Sequence, residues 1–230
     1  MPRSDDPLHQ GLEQFRSEHY PRLEERFRRL AEEGQEPHSL FIGCSDSRVL
    51  PDLLADAGPG ELFVVRNVGG LVPPRGTDPS VAAAVEYAVR ILDVSDAVVC
   101  GHSRCGAVRA LFDPPDVDAP ELGRWLQHAR PAAERAVEAL GAEEESSSSQ
   151  EARAPGVPDR ELLREAERQS VRLQVERLQE LSPVREAVAE GRLRVHGWHY
   201  RIGRGEVDVL DPDTGRFFEA LEEAPGPEGG

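Results

Sequence analysis

Short apolar runs alternate along this chain with longer stretches in which hydrophobic residues recur every three or four positions. Ser39-Leu40-Phe41-Ile42-Gly43, Leu62–Arg66 and Ala97–Cys100 are of the first kind and read as buried strands. Leu193–His196 and Glu206–Leu210 read as two late strands, with Gly203-Arg204-Gly205 in the turn between them. Helical spacing runs from Leu8 to Ala31, with one break expected near Pro21. It returns over Pro79–Leu92, where Asp78 caps and Pro79 occupies the first turn. A short helix is predicted at Arg104–Leu111 and longer amphipathic ones at Glu121–Leu140 and Asp159–Leu181. Strands alternating with helices predict an α/β fold: a single domain over residues 1–230 with a mainly parallel central β-sheet flanked by helices. Residues 1–34 form its N-terminal helical arm. Such sheets carry ligand sites at the carboxyl ends of their strands.

Two segments break the pattern. Gly141-Ala142-Glu143-Glu144-Glu145 and the serine run after it lead into Pro155-Gly156-Val157-Pro158, so residues 141–158 are expected to be a mobile loop. Residues 222–230 are expected to be a disordered tail. Neither marks a domain boundary, because strands on both sides are needed for one sheet.

Charge narrows the partners. The formal net charge is −16, and all 27 basic residues are arginine. An acidic surface repels nucleic acid and anionic membranes, so neither is expected as a partner. The missing lysine fits a GC-rich genome or a protein adapted to high salt, where acidic groups repel less. No apolar run approaches the roughly 20 residues that span a bilayer. Met1-Pro2-Arg3-Ser4-Asp5-Asp6 lacks the basic start and apolar core of a secretory signal, and three cysteines are too few for a disulfide scaffold. A cytoplasmic location is the resulting expectation.

The chemistry sits just after two of the strands. Cys44-Ser45-Asp46-Ser47-Arg48 follows the first, and Gly101-His102-Ser103-Arg104-Cys105-Gly106 follows the third. Cys100 reads as a buried core thiol. Cys44, His102 and Cys105 then offer two thiolates and one imidazole, which suits tetrahedral zinc with its fourth position open. A zinc ion so placed lowers the pKa of a bound water. Asp46 is close enough to orient that water or to take its place, and Arg48 can hold the carboxylate back through a fork of donors.

The two loops, about fifty residues apart, resemble those of the β-class carbonic anhydrases. Gly60–Val68, Val72-Pro73-Pro74, Ala84–Val89 and His196-Gly197-Trp198-His199-Tyr200 extend the resemblance, which covers roughly residues 35–112 and 190–211. It implies one zinc ion per subunit on Cys44, His102 and Cys105, an Asp46–Arg48 catalytic dyad, and reversible hydration of carbon dioxide to bicarbonate. It also implies that Gln35, Phe63, Val68 and Tyr87 line the substrate pocket. The arm, with Leu12, Phe15, Leu23, Phe27 and Leu30, is implied to wrap a neighbouring subunit, giving a homodimer or a dimer-based oligomer with its active site at the interface. Some members carry a regulatory bicarbonate site of Trp, Arg and Tyr. Arg66 and Tyr200 match two of its positions, and Phe41 stands in place of the tryptophan. Gly69-Gly70 replaces the usual Ala-Asn pair, which is expected to loosen the loop beside the pocket. His38, His196 and His199 are candidate proton relays by chemistry alone. Alternatives are hydrolysis of carbonyl sulfide or carbon disulfide at the same zinc, or a noncatalytic zinc- or bicarbonate-binding role. A redox role lacks a Cys-x-x-Cys pair.

Overall fold

In the computed structural model, residues 6–146 and 159–220 are described. The helices are α1 (Pro7–Gln14), α2 (Tyr20–Glu33), α3 (Pro51–Leu54), α4 (Pro79–Arg90), α5 (Gly106–Arg109), α6 (Pro120–Leu126), α7 (Arg130–Ser146), α8 (Arg160–Glu180) and α9 (Ser182–Ala189). The strands are β1 (Ser39–Cys44), β2 (Leu62–Asn67), β3 (Asp96–His102), β4 (Arg194–Arg201), β5 (Glu206–Leu210) and β6 (Phe217–Glu219). They form one sheet in the order β2-β1-β3-β4-β5-β6. The first four are parallel, and β5 and β6 add antiparallel strands at one edge. Among the described residues, no helix is long and apolar enough to cross a membrane.

β1 is buried along its whole length because both of its faces are covered. Leu40 and Ile42 point into a core shared with Val85 and Val89 of α4, Val171 and Leu178 of α8 and Val184 of α9. Phe41, on the opposite face by the two-residue period, packs with Val98, Cys100 and Trp198. α8 lies close against the sheet at Gly101 and Gly197. A Cβ at Gly101 would come within 2.6 Å of Val171 Cγ2, and one at Gly197 within 3.1 Å of Val171 Cγ1.

Several boundaries differ from expectation for local reasons. The break near Pro21 is a five-residue π-helical turn, Phe15–His19, between α1 and α2. Proline has no N–H and crowds the carbonyl four residues back, and the wider turn accommodates both. The predicted helix Glu121–Leu140 is two helices, with Pro131 in the first turn of the second. α7 runs on through Ser146, so the first residues of the expected loop are helical, while 147–158 and the tail 222–230 lie outside the described residues. β4 extends through His196–Tyr200, and the short elements α3, α9 and β6 carry too little periodicity to be read from sequence.

Candidate active site

Parallel register brings the two loops together. Gly43 pairs with Cys100 across β1 and β3, so Cys44 and His102 emerge at the same carboxyl end of the sheet. Arg104, with φ +57°, takes a left-handed conformation that folds the chain back after His102 and puts Cys105 beside it. The ligand atoms of Cys44, His102 and Cys105 all lie within 4.8 Å of one another, and all three residues are buried.

The cluster fits a metal. His102 Nδ1 donates to the Ser103 carbonyl at 3.1 Å, leaving the lone pair on Nε2. That nitrogen is buried, and among the described residues it has no hydrogen-bond partner. Such a group is costly to bury unless something else coordinates it. Cys44 Sγ accepts N–H groups from Asp46 and Gly69, each at 3.4 Å. Its thiol is drawn down to about 4, first by hydrogen bonding with Cys105, which together with His102 and these N–H groups outweighs burial. Cys105 is pushed up by the same sharing and by burial. Cys100, buried and apart, is pushed up to about 12 by its surroundings and remains an inert core thiol. Two soft sulfurs and an imidazole on one point form a donor set that could hold a metal ion, and its chemistry suits zinc.

Asp46 stands beside this cluster without joining it. Arg48 donates Nε to Oδ1 at 2.9 Å and Nη2 to Oδ2 at 2.7 Å, and its backbone N–H also reaches Oδ1 at 3.0 Å. These bonds, the guanidinium's first of all, hold the Asp46 carboxyl well below the usual carboxylate range. Asp46 Oδ2 lies 3.9 Å from His102 Nε2. Arg48 Nη2 also donates to the Arg104 carbonyl at 3.2 Å, tying the two loops together. A cavity of about 600 Å³ opens beside Cys44 and Asp46, walled by Val68, Ala107, Ala110, Leu122 and Leu126 and rimmed by Arg109 and Asp113.

The remaining candidates divide. Val68 lines this cavity. Gln35, Phe63 and Tyr87 do not: Gln35 is exposed after α2, and Phe63 and Tyr87 stack on each other 5.7 Å apart where α4 meets β2. Gly69 and Gly70 take backbone conformations that favour glycine. Both have positive φ, +88° and +62°, and the first presents its N–H to Cys44. His38 and His196 sit at the opposite, amino end of the strands, His196 bonded to Asp96 at 2.8 Å. His199 is buried under α8, between Glu167 and Asp208. Arg66, from β2, clamps the first loop by donating to the Cys44 and Asp46 carbonyls at 3.0 and 2.8 Å. Phe41 packs edge-to-face on Trp198 at 6.4 Å.

Three contacts escaped sequence reasoning. Trp125 Nε1 donates to the Val68 carbonyl at 2.7 Å, and Gln174 accepts from the Val72 N–H at 2.8 Å. The buried Glu167 accepts from the Cys105 N–H at 3.1 Å. Glu167 had a visible signal, since it is an acid on the face of α8 that also carries Ser170, Val171, Gln174 and Leu178 toward the core.

The profile of the carbonic anhydrase family matches residues 39–207. The chain is 41% identical over 214 residues to a carbonic anhydrase of Pseudomonas aeruginosa, covering 92% of this chain and 90% of that one. It belongs to the β-class carbonic anhydrase family. Among solved structures, the β-carbonic anhydrase CcaA superposes with a TM-score of 0.82 at 31% identity, over 94% of this chain and 92% of that one. A tetrameric β-carbonic anhydrase of the ascomycete Sordaria macrospora superposes at 0.71 and 29% identity, over 88% and 96%. The α/β architecture with a mainly parallel sheet, a helical arm and a Cys-His-Cys cluster is thus that of a β-carbonic anhydrase enzyme.

Proposed function

We propose that this chain catalyses the reversible hydration of carbon dioxide to bicarbonate and a proton, with one zinc ion per subunit held by Cys44, His102 and Cys105. The observation that carries this reading is the buried three-donor cluster with the Asp46–Arg48 pair beside it at the floor of the cavity. When bound, zinc supplies the Lewis acidity that makes water a nucleophile near neutral pH. Arg48 keeps the Asp46 carboxylate ionised and turned away from the thiolates. An ionised carboxylate only accepts hydrogen bonds, so Asp46 orients the attacking water by accepting its proton's bond. Val68, Ala107, Leu122 and Leu126 offer an apolar wall suited to a small uncharged molecule.

Gln35, Phe63 and Tyr87 take part through a second copy of the chain. Tyr87 and its neighbours Val64 and Ile91 are exposed, and α1 and α2 of the arm bury none of their residues within the chain. The tetrameric relative supports a dimer-based assembly. Arg66 is committed to the Cys44 and Asp46 carbonyls and Phe41 replaces the tryptophan, so strong closure by bicarbonate is not expected.

The test is stopped-flow carbon dioxide hydration on protein whose zinc content has been quantified, run beside a carbonyl sulfide assay. Rapid hydration abolished by chelation is the expected result. Fully zinc-loaded protein that turns over carbonyl sulfide alone, or neither gas, would overturn it.

A further inference from the structure

The turn that carries Cys105 is strained and needs support. Arg104 adopts φ +57°, a left-handed conformation that disfavours every residue but glycine. Contacts from the loop side include Ser103 N–H to the Tyr200 carbonyl at 2.9 Å, Ile202 N–H to Ser103 Oγ at 3.0 Å, His102 Nδ1 to the Ser103 carbonyl at 3.1 Å, and Arg48 Nη2 to the Arg104 carbonyl at 3.2 Å. From the core side, Glu167 Oε1 takes the Cys105 N–H at 3.1 Å.

Glu167 is an expensive choice for that place. It is 5% exposed, and a buried carboxylate gives up hydration that an apolar residue never had. The protein surrounds it with a chain of charged groups. Glu167 Oε2 lies 3.4 Å from His199 Nε2, and His199 Nδ1 lies 3.7 Å from Asp208 Oδ2. Asp208, also buried, is paired with Arg168 at 2.9 Å and Arg201 at 3.1 Å. The missing side chains of Gly101 and Gly197 let α8 come near enough to the sheet for Glu167 to reach the turn. The imidazole faces the second carboxylate oxygen at ion-pair distance, with neither ring nitrogen hydrogen-bonded among the described residues, and the first oxygen is aimed at a backbone N–H, where a leucine would have filled the same core position without a bond.

We propose that Glu167, held by His199, is a positioning residue for the metal centre: it fixes the backbone of Cys105 so that this sulfur meets Cys44 and His102 at one point. The proposal rests on Cys105 being a metal ligand, as in the function proposed above. What Glu167 contributes is an acceptor at a fixed place; its charge is incidental to that role. Glutamine in its stead keeps the acceptor, and its amide N–H can face a neutral His199 nitrogen. Methionine keeps the volume and loses the acceptor.

The experiment measures zinc affinity by chelator competition, and the visible spectrum of the cobalt(II)-substituted protein, for wild type, Glu167→Gln, Glu167→Met and His199→Phe. The spectrum reports the geometry of the thiolates around the ion and does not depend on turnover. Glu167→Met is expected to bind zinc about 10–100-fold more weakly, as is usual when a partner behind a metal ligand is removed, with a shifted cobalt–thiolate band. Glu167→Gln, which keeps the acceptor, should stay well short of that loss, with an unchanged spectrum. His199→Phe, which leaves Glu167 in place but unheld, should weaken zinc severalfold. It decides the matter if the methionine variant does not fold. Wild-type affinity and spectrum in Glu167→Met or His199→Phe would overturn the proposal, and so would a glutamine variant as weak as the methionine one. Wild-type protein without a cobalt–thiolate band would instead overturn the metal site itself.

Discussion

Gly70→Ala should damage the fold and the site together, by an amount the geometry sets. Gly70 has φ +62°, and an added methyl would stand 3.0 Å from Cys44 N and Gly43 C. The left-handed conformation costs an alanine roughly 1–2 kcal/mol. The contact adds about 1–3 kcal/mol, because the opposing atoms are backbone at the end of a fully buried strand and cannot swing aside as a side chain would. The total is about 2–5 kcal/mol, a large share of the roughly 5–15 kcal/mol that hold a domain folded. For a chain of this size that corresponds to a fall of roughly 4–20 °C in melting temperature. Gly76→Ala separates the two contributions, since Gly76 also has positive φ, +83°, but nothing lies within 4 Å of its added methyl. It should lose only the backbone part, about 1–2 kcal/mol. The assay is urea unfolding of both variants without metal, followed by zinc affinity of the folded proteins. Gly70→Ala should also bind zinc more weakly, because its methyl presses on the peptide that carries Cys44, while Gly76→Ala should bind normally. Equal destabilisation of the two variants, or an unchanged zinc affinity in Gly70→Ala, would refute the reasoning.

Other outcomes follow from the same geometry. Cys44→Ser, His102→Ala and Cys105→Ser should each lose zinc and hydration activity, and full metal occupancy in all three would remove the ligand assignment. Arg48→Ala deprives Asp46 of both guanidinium bonds; zinc should stay, activity should fall by orders of magnitude, and an active variant would end the dyad mechanism. Burial raises the Asp96 carboxyl, but Arg194, His196 and Ser95 outweigh it and bring it from 3.8 to about 2. The folded protein therefore binds fewer protons there, so this contribution is present above about pH 4 and lost as the pH falls toward 2. Asp96→Asn should flatten the stability of the metal-free protein over that interval, and parallel urea midpoints for the two proteins would contradict this. Leu8 and Leu12 are 81% and 68% exposed on the arm. Aspartate at both positions should shift the assembly to smaller species in light scattering, and an active wild-type monomer would dispose of the shared pocket.

The periodicity of the chain was sufficient for the α/β class, for the parallel part of the sheet and for the loops that carry Cys44, His102 and Cys105. Each of those features is local: a strand of four to six apolar residues ends, and the polar residues that follow must lie at its carboxyl end. The pairing of Asp46 with Arg48 was legible for the same reason, since two residues of one loop are within reach whatever the rest of the fold does. Tertiary structure decided the rest. Gly69 and Gly70 look in sequence like flexibility, and their positive φ and close approach to Ala107 and Cys44 show only in the fold. Gln35, Phe63 and Tyr87 were expected at the pocket from resemblance alone, whereas the cavity that Val68 lines is walled by residues such as Ala107, Leu122 and Leu126 that no spacing rule singled out. Glu167 is separated from Cys105 by 62 residues, and no local rule joins them. They meet because two glycines let α8 settle onto the sheet. Spacing along a chain reports what neighbours share, whereas a buried acid finds its hydrogen-bond donor only after the layers have packed.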